Sequence, residues 1–168
     1  MRLDMTTSDV LRSLLLDRSV AALATLHDGR PFASMIPFAV HVAAGRLRLV
    51  THVSGLSSHT RDMLAAPEVC LLITAADAPD VMPQALPRVS IPAVAEFIPP
   101  EHPDHEPLKA AYLEKFPHAA DFFMLGDFSL VALEPTSARL IAGFARAQTL
   151  TADALAAAVG GATHRRPA

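Results

Sequence analysis

The sequence has 168 residues, of which 51% are hydrophobic and only 18% are charged, and its formal net charge is −3. A chain of this length suits one domain with one core, and its slightly acidic balance argues against a nucleic-acid partner. No run of residues is apolar enough to span a membrane and residues 1–20 lack a signal-peptide pattern, so we expect a cytoplasmic protein that covers its surplus apolar surface with a second subunit.

The first half of the chain predicts one helix and then three strands joined by tight turns. Caps at residues 6–8 and apolar side chains at helical spacing indicate a helix over residues 6–17. Strands are predicted at 19–26, 31–42 and 47–51. The pair Asp28-Gly29 tolerates positive φ and marks the first hairpin turn, and Ala44-Gly45 lies in the second. This order describes an antiparallel meander.

The second half alternates short helices with strands. We expect helices at 56–66, 108–116, 119–125 and 151–159, and strands at 68–74, 88–97, 126–133 and 138–142. Pro92 requires an edge position or a bulge in its strand. The proline-rich segments 75–87 and 99–107 are predicted to be a loop and an exposed connection. Cys70 is the single cysteine; it excludes an internal disulfide, and its apolar run VCLLI predicts a buried, inert thiol.

Together these elements predict a mainly β fold of the α+β class. Six or seven antiparallel strands with few crossovers form a small barrel with peripheral helices. A single domain is expected over residues 1–162, followed by a disordered tail at 163–168.

Small hydroxyl residues stand where the helix after the third strand begins. Ser57, Ser58 and Thr60 surround the first helical turn, whose amides have no intrahelical acceptor, and His59 and Arg61 add donors. The positive end of the helix dipole favours an anion there, so the segment predicts a phosphate site. The alternative is that these residues only cap the helix.

Other segments are candidates with a plainer alternative. His102 and His105, with Glu101, Asp104 and Glu106, resemble a metal cluster, but a solvated proline-rich loop explains them better, and we predict no metal site. Residues 143–146 could approach a cofactor from a partner chain or simply form a turn. The cluster Phe122-Phe123-Met124 is expected in the core or at a dimer contact.

Five segments in order resemble one known family. They read HDGRPFASMIPF, AAGRLRLVTHVSGLSSHTRDMLAAPEVCLLI, PRVSIPAVAEFI, GDFSL and GFARA. This series resembles the FMN-binding split β-barrel proteins related to pyridoxamine 5′-phosphate oxidase, and it is most similar to the branch that includes the haem-utilisation proteins. The resemblance covers about residues 8–155 and implies a six- to seven-stranded split β-barrel.

The resemblance also implies a homodimer with two FMN sites at the subunit interface, each built from both chains. The cofactor-binding positions that it implies are Ser34, Met35, Ile36, Pro37, Thr51, His52, Ser57, Ser58, His59, Thr60, Arg61 and Arg88. For Arg88, capping of a strand edge is an equal alternative. No catalytic residue is assigned.

The sequence departs from the family pattern at the phosphate. The oxidases place basic residues near Ser34 and near Ser58-His59, and none is present at those positions here. The phosphate charge would therefore fall to Arg61, Arg30 or a protonated His59. Ala93 also stands where a glycine is usual. The oxidases' C-terminal substrate-binding arginine and histidine have no match here, so we do not expect pyridoxamine phosphate to be the substrate.

Three functions follow from these observations. The first is a flavin-dependent oxidoreductase that acts on an unknown small molecule, with FMN supplying the chemistry. The second is a haem-binding or haem-degrading protein of the same fold. The third is a dimeric binding module that keeps the barrel and has lost the cofactor.

Overall fold

A computed structural model describes residues 7–143 and 146–160. The predicted tail, and Phe144-Ala145 within the predicted turn at 143–146, lie outside these residues. In chain order the elements are α1 (Thr7–Leu16), β1 (Val20–His27), β2 (Arg30–Pro37), β3 (Ala39–Ala43), β4 (Arg46–Ser54), α2 (Ser58–Ala65), β5 (Glu68–Thr74), β6 (Arg88–Ile98), α3 (His105–Lys115), β7 (Phe128–Pro135), β8 (Ser137–Ile141), β9 (Ala147–Thr151) and α4 (Ala152–Gly160). Two 3₁₀ helices span Pro83–Ala85 and Pro117–Met124. Over the described ranges, none of the helices combines the length and apolar character that crossing a membrane requires.

The strands form one sheet in which every pair is antiparallel. The main path runs β2-β1-β5-β6-β7-β4-β3, and β8 pairs with both β6 and β9. The path does not close, because β2 and β3 lie at its ends, although β2 and β4 approach each other. The mainly β, split-barrel prediction is confirmed, with nine strands in place of six or seven.

Two hydrophobic clusters lie on opposite sides of β4, because alternate residues of a strand point to opposite faces. Leu47, Leu49 and Val53 belong to the main core, which also contains the buried faces of α1 and α4. Val50 faces the other way and packs in a second cluster with Tyr112 of α3. Helix α3 and the 3₁₀ helix Pro117–Met124 therefore form an outer layer over this side of the barrel.

Both predicted hairpin turns are confirmed. Asp28 and Gly29 have φ of 50° and 73°, and Ala44 and Gly45 have φ of 50° and 76°. Two successive residues with positive φ define the turn whose twist matches that of the flanking strands. The register His27↔Arg30 then follows directly from the first turn.

The strand predicted over residues 31–42 is divided at Phe38, so that prediction is wrong. Phe38 is fully buried and its amide donates to the carbonyl of Ser19 at 3.1 Å. The chain leaves β1 after Pro37 and pairs with β4 from Ala39 onward. An apolar residue at position 38 is as typical of a continuous strand as of a buried break, so the sequence pattern could not reveal the break.

The segment 99–107 was predicted to be an exposed connection, and its last three residues contradict this. Helix α3 begins at His105, which is buried. Just before it, Asp104 pairs with the buried guanidinium of Arg48 at 2.8 Å. This ion pair fixes the end of the loop. Strand β9 was also not predicted, because its polar sequence AQTLT lacks an apolar repeat.

Pro92 lies where β6 changes partner from β8 to β7. The register shifts there by one residue, because residues 91–92 of β6 oppose residues 136–138, so the predicted bulge is present on the strand opposite Pro92. On one side Pro92 pairs with Cys70 of β5, while on the other β6 pairs with β8 up to Ser90 and with β7 from Ala93. The Pro92 carbonyl accepts the amide of Thr136 on that second side. The missing N–H of Pro92 faces the same gap between the two ladders, so no ladder hydrogen bond is lost.

The outer face of β2, β1, β5 and β6 has an apolar area, bordered by Glu68 and Glu96, and carries no helix from the described part of the chain. Register places the exposed residues Ala22, Ala24, Leu26, Ala33, Met35, Leu72, Pro92 and Val94 on it. We call this set the exposed apolar face. Cys70 lies on the same face and is half-buried, so its predicted place in the core is wrong. Partial burial raises the pKa of its thiol.

Candidate functional site

Helix α2 begins after a turn of small hydroxyl residues. Ser57 is the N-cap, and its hydroxyl makes no capping hydrogen bond. Thr60 donates its hydroxyl to the carbonyl of Ser54 at 2.7 Å. The amides of Ser58 and His59 lie in the first turn, where the helix offers no acceptor. The free amides expected of an anion site are therefore present, and the Ser57 side chain does not accept a hydrogen bond from them.

The charges around this turn are weaker than a phosphate site requires. Burial lowers the pKa of the His59 imidazole, although Asp62 acts in the opposite direction. The lowered pKa works against the protonated His59 that the sequence suggested. Arg61 and Arg30 are both exposed side chains. Exposed cations contribute little to holding an anion, because solvent screens them.

A buried carboxylate holds α2 against β1. The side chain of Asp62 is 5% exposed and accepts hydrogen bonds from Thr25 Oγ1 at 2.8 Å and from His27 Nδ1 at 2.7 Å. Burial alone would raise the pKa of Asp62, but the bonds from His27 and Thr25 outweigh it and hold the pKa below 3.8. These contacts fix α2 relative to the sheet, and no pattern in the sequence indicated them.

Replacing Asp62 by asparagine should lower the thermal stability at pH 7. The folded pKa of Asp62 is below its unfolded value, so its contribution is present above pH 3.8 and is lost as the pH falls below that value. The stability gap between the wild type and Asp62→Asn should therefore narrow in acid. Thermal unfolding between neutral and acid pH measures this. Asp80→Asn, at an exposed residue of the loop before β6, is the control, and a stability gap independent of pH would contradict the assignment.

The predicted cofactor residues of β2 face two ways. Ser34 and Ile36 point toward the main core, because Ser34 pairs with the buried Leu23. Met35 and Pro37 point outward, and Met35 is 63% exposed. The Ser34 hydroxyl is buried without a hydrogen-bond partner. A bound molecule could therefore accept a hydrogen bond from this hydroxyl or donate one to it.

Thr51 and His52 are neighbours in β4, so their side chains also lie on opposite faces. Thr51 is fully buried and its hydroxyl has no hydrogen-bond partner, like that of Ser34. His52 points into the outer layer. Because the two side chains diverge, the pair cannot contact one cofactor from a single face of β4.

A cavity of about 440 Å³ lies at the split between β2 and β4, and we call it the split cavity. It brings together two of the predicted residues, Pro37 and His52. The other walls include Tyr112, Phe122 and Phe128. A second cavity, of about 600 Å³, lies on the far side of the His52 ring and is lined by Lys109; we call it the Lys109 cavity.

The His52 ring separates these cavities. It stacks on Phe123 with centroids 3.8 Å apart and planes 6° apart, and Phe128 lies 5.1 Å away. Burial, with smaller effects of His105 and Lys109, lowers the pKa of His52 to about 4. Phe123 thus packs inside the protein, as expected for its cluster, whereas Phe122 and Met124 are exposed.

Arg88 is engaged by its own chain. Its guanidinium donates to the carbonyls of Gln84 at 3.2 Å and Leu86 at 3.0 Å, which closes the loop before β6. This is the capping role that the sequence left open. A flavin contact of Arg88 stays a prediction.

His102 and His105 each contact a neighbouring residue of the segment 101–106. The ring of His102 accepts the amide of Asp104 at 3.1 Å, and Nδ1 of His105 lies 3.2 Å from Glu106. Among the described residues, no group of three or more such side chains is arranged to hold a metal ion.

One known protein family matches the part of the chain that contains the barrel, the turn before α2 and the cleft between β2 and β4. The family described as pyridoxamine 5′-phosphate oxidase matches residues 7–142. The chain belongs to the pyridoxamine 5′-phosphate oxidase family. The matched range contains every site residue that the sequence suggested, from β2 to the start of β6.

Members of the family similar to this chain include proteins named for haem. The chain is 33% identical over 123 residues to the non-canonical haem oxygenase HOZ of Arabidopsis thaliana, covering 72% of the chain and 35% of that protein. A haem-binding protein from Mycobacterium smegmatis is 28% identical with a TM-score of 0.78, covering 93% of this chain and 62% of the other. HutZ, a haem storage protein from Vibrio cholerae, is 24% identical with a TM-score of 0.65, covering 80% of this chain and 91% of the other, and this likeness concerns the fold. The chain thus spans less than two thirds of the plant and mycobacterial relatives.

Proposed function

We propose that the protein is a haem-binding member of the pyridoxamine 5′-phosphate oxidase family and acts as a homodimer. The observation that carries this choice is the position of His59 in the first turn of α2, beside amides that have no acceptor within the helix. A neutral imidazole offers no charge to a phosphate, but it has the lone pair that iron requires. The names of the plant and mycobacterial relatives support the same cofactor.

The residues around the turn fit a haem better than a nucleotide phosphate. Haem is mostly apolar and carries two carboxylates, which need hydrogen-bond donors but less concentrated charge than a phosphate. The amides at the start of α2 and the hydroxyls of Ser57 and Ser58 can supply those donors. Met35 and Leu56 are exposed apolar side chains that could cover the macrocycle. When bound, haem would supply a redox-active iron, while the chain would orient and shield it.

The dimer follows from the exposed apolar face. Four adjacent strands present alanine, leucine, methionine, proline and valine side chains to solvent there. Water contact of so continuous an apolar surface is unfavourable, and a second copy would remove it. An interface of this kind would place Met35 of each subunit beside its partner.

Replacing His59 by alanine should weaken haemin binding by about tenfold or more, or ~1.4 kcal/mol, and shift the Soret band. The same change should leave FMN binding unaltered, because the lowered pKa of His59 disfavours its protonated form. Haemin and FMN titrations followed by absorption measure both effects. His102→Ala, at a histidine outside α2, is the matched control. An unchanged Soret band in His59→Ala would remove His59 from the proposal.

FMN binding is the second candidate, and the orphaned hydroxyls favour it. Ser34 Oγ and Thr51 Oγ1 are buried without partners on the strands beside the split. Polar atoms of a flavin or its ribityl chain could satisfy them. In that case the purified protein would be yellow, and His59→Lys would tighten FMN binding by adding the missing cation at the turn.

A further inference from the structure

The Lys109 cavity combines ring-lined walls with a single unpaired cation. Its walls include Phe97, Ile98 and Phe128, and the stacked rings of His52 and Phe123 form one side. Its volume of about 600 Å³ lies in the range of sites for small organic ligands. Flat walls of this kind favour a flat, apolar molecule.

The cation of the cavity lies beside its aromatic wall. Lys109 has no carboxylate within ion-pair distance among the described side chains, and its ammonium lies 5.1 Å from the centroid of Phe123. The one acidic group at the cavity, Glu106, is directed to His105 at 3.2 Å. His52 is neutral, because its pKa is about 4. The ring-lined wall is therefore apolar with the ammonium of Lys109 next to it, while the Glu106 carboxylate is 79% exposed beside His105.

We infer that the Lys109 cavity is a binding site for a planar aromatic carboxylate, with the rings stacking the ligand and Lys109 binding its carboxylate. This site lies in the outer layer, between α3, β4 and β7, and each chain contains it whole. It is separate from the start of α2 and does not depend on the haem proposal. Polar atoms of Ser129 at the wall provide a further hydrogen-bonding group.

The test uses 1-naphthoate and its neutral analogue 1-naphthamide with the full-length protein. Because the chain has no tryptophan, the probe fluorescence can be followed without protein background from that residue. We expect naphthoate to bind about tenfold more tightly than naphthamide, the effect of one charge-assisted contact. Lys109→Gln should remove that preference and leave naphthamide binding unchanged. Arg139→Gln, at an exposed cation of β8 outside the cavity, should change neither.

The pKa of His52 serves as a second readout, which tests whether naphthoate binds in the Lys109 cavity. Bound naphthoate should raise the pKa of His52, measured from its ring resonances, because an anion stabilises the imidazolium. Equal affinity of both probes, equal naphthoate affinity in Lys109→Gln, or an unmoved His52 resonance would overturn the inference. So would binding by non-specific partition only, without saturation. Repeating the titration with haemin present should give the same affinity, which separates this site from the haem site.

Discussion

Replacing Leu72 by glutamate should convert the proposed homodimer into monomers. Leu72 is 39% exposed at the middle of the exposed apolar face, between Ala22 of β1 and Ser90 of β6. In a symmetric dimer the substitution appears twice, so two carboxylates would be removed from water without partners. Each costs several kcal/mol, about as much as an interface of ordinary size provides.

Sedimentation equilibrium of the wild type and Leu72→Glu measures this change. Leu16→Glu, at an exposed leucine that ends α1, carries the same new charge outside this face and should leave the dimer intact. We also expect Leu72→Glu to lose haemin affinity, because the proposed site includes the interface. A dimeric Leu72→Glu would show that the subunits meet elsewhere.

Replacing Phe38 by alanine should lower the free energy of unfolding by about 3–5 kcal/mol. Phe38 is 0% exposed and lies at the break between β2 and β3. The ammonium of Lys115 lies 4.3 Å from its ring centroid and donates to the carbonyl of Arg18. Removing the ring would leave a cavity and further expose this half-buried cation, whose pKa burial lowers to about 8.

Chemical denaturation at one protein concentration measures the Phe38 effect. Phe122→Ala is the matched control, because Phe122 is 47% exposed and its loss should cost less than about 1 kcal/mol. Comparable losses of unfolding free energy in the two variants would mean that neighbouring residues close the cavity left by Phe38. In that case Phe38 would not be the residue that divides the strand.

The parts of the fold that local chemistry determines were predicted from the sequence. Asp28-Gly29 and Ala44-Gly45 require positive φ, so the hairpins and the pairing of their strands followed. The start of α2 was also predicted, because hydroxyl residues before an apolar helix are local signals. Phe38 shows the limit, since its burial depends on α3, which supplies Lys115 from a distant part of the chain.

The candidate site was predicted only where its residues are close in sequence. The hydrogen bonds from Thr25 and His27 to Asp62 cross more than thirty positions, and no spacing rule connects them. The divergence of Thr51 and His52 could have been predicted, because adjacent strand residues face opposite sides. The low pKa of His52 could not, because it depends on the layer that α3 and Phe123 place over β4.

A haemin titration of the wild-type protein, followed by absorption with sedimentation of the same samples, tests the account most directly. It predicts a saturable Soret band at one haem per chain on a particle of dimer mass. We also predict that FMN at the same concentration as haemin does not displace the haemin. A protein that is yellow as purified, or one whose spectrum does not change at stoichiometric haemin, would contradict it.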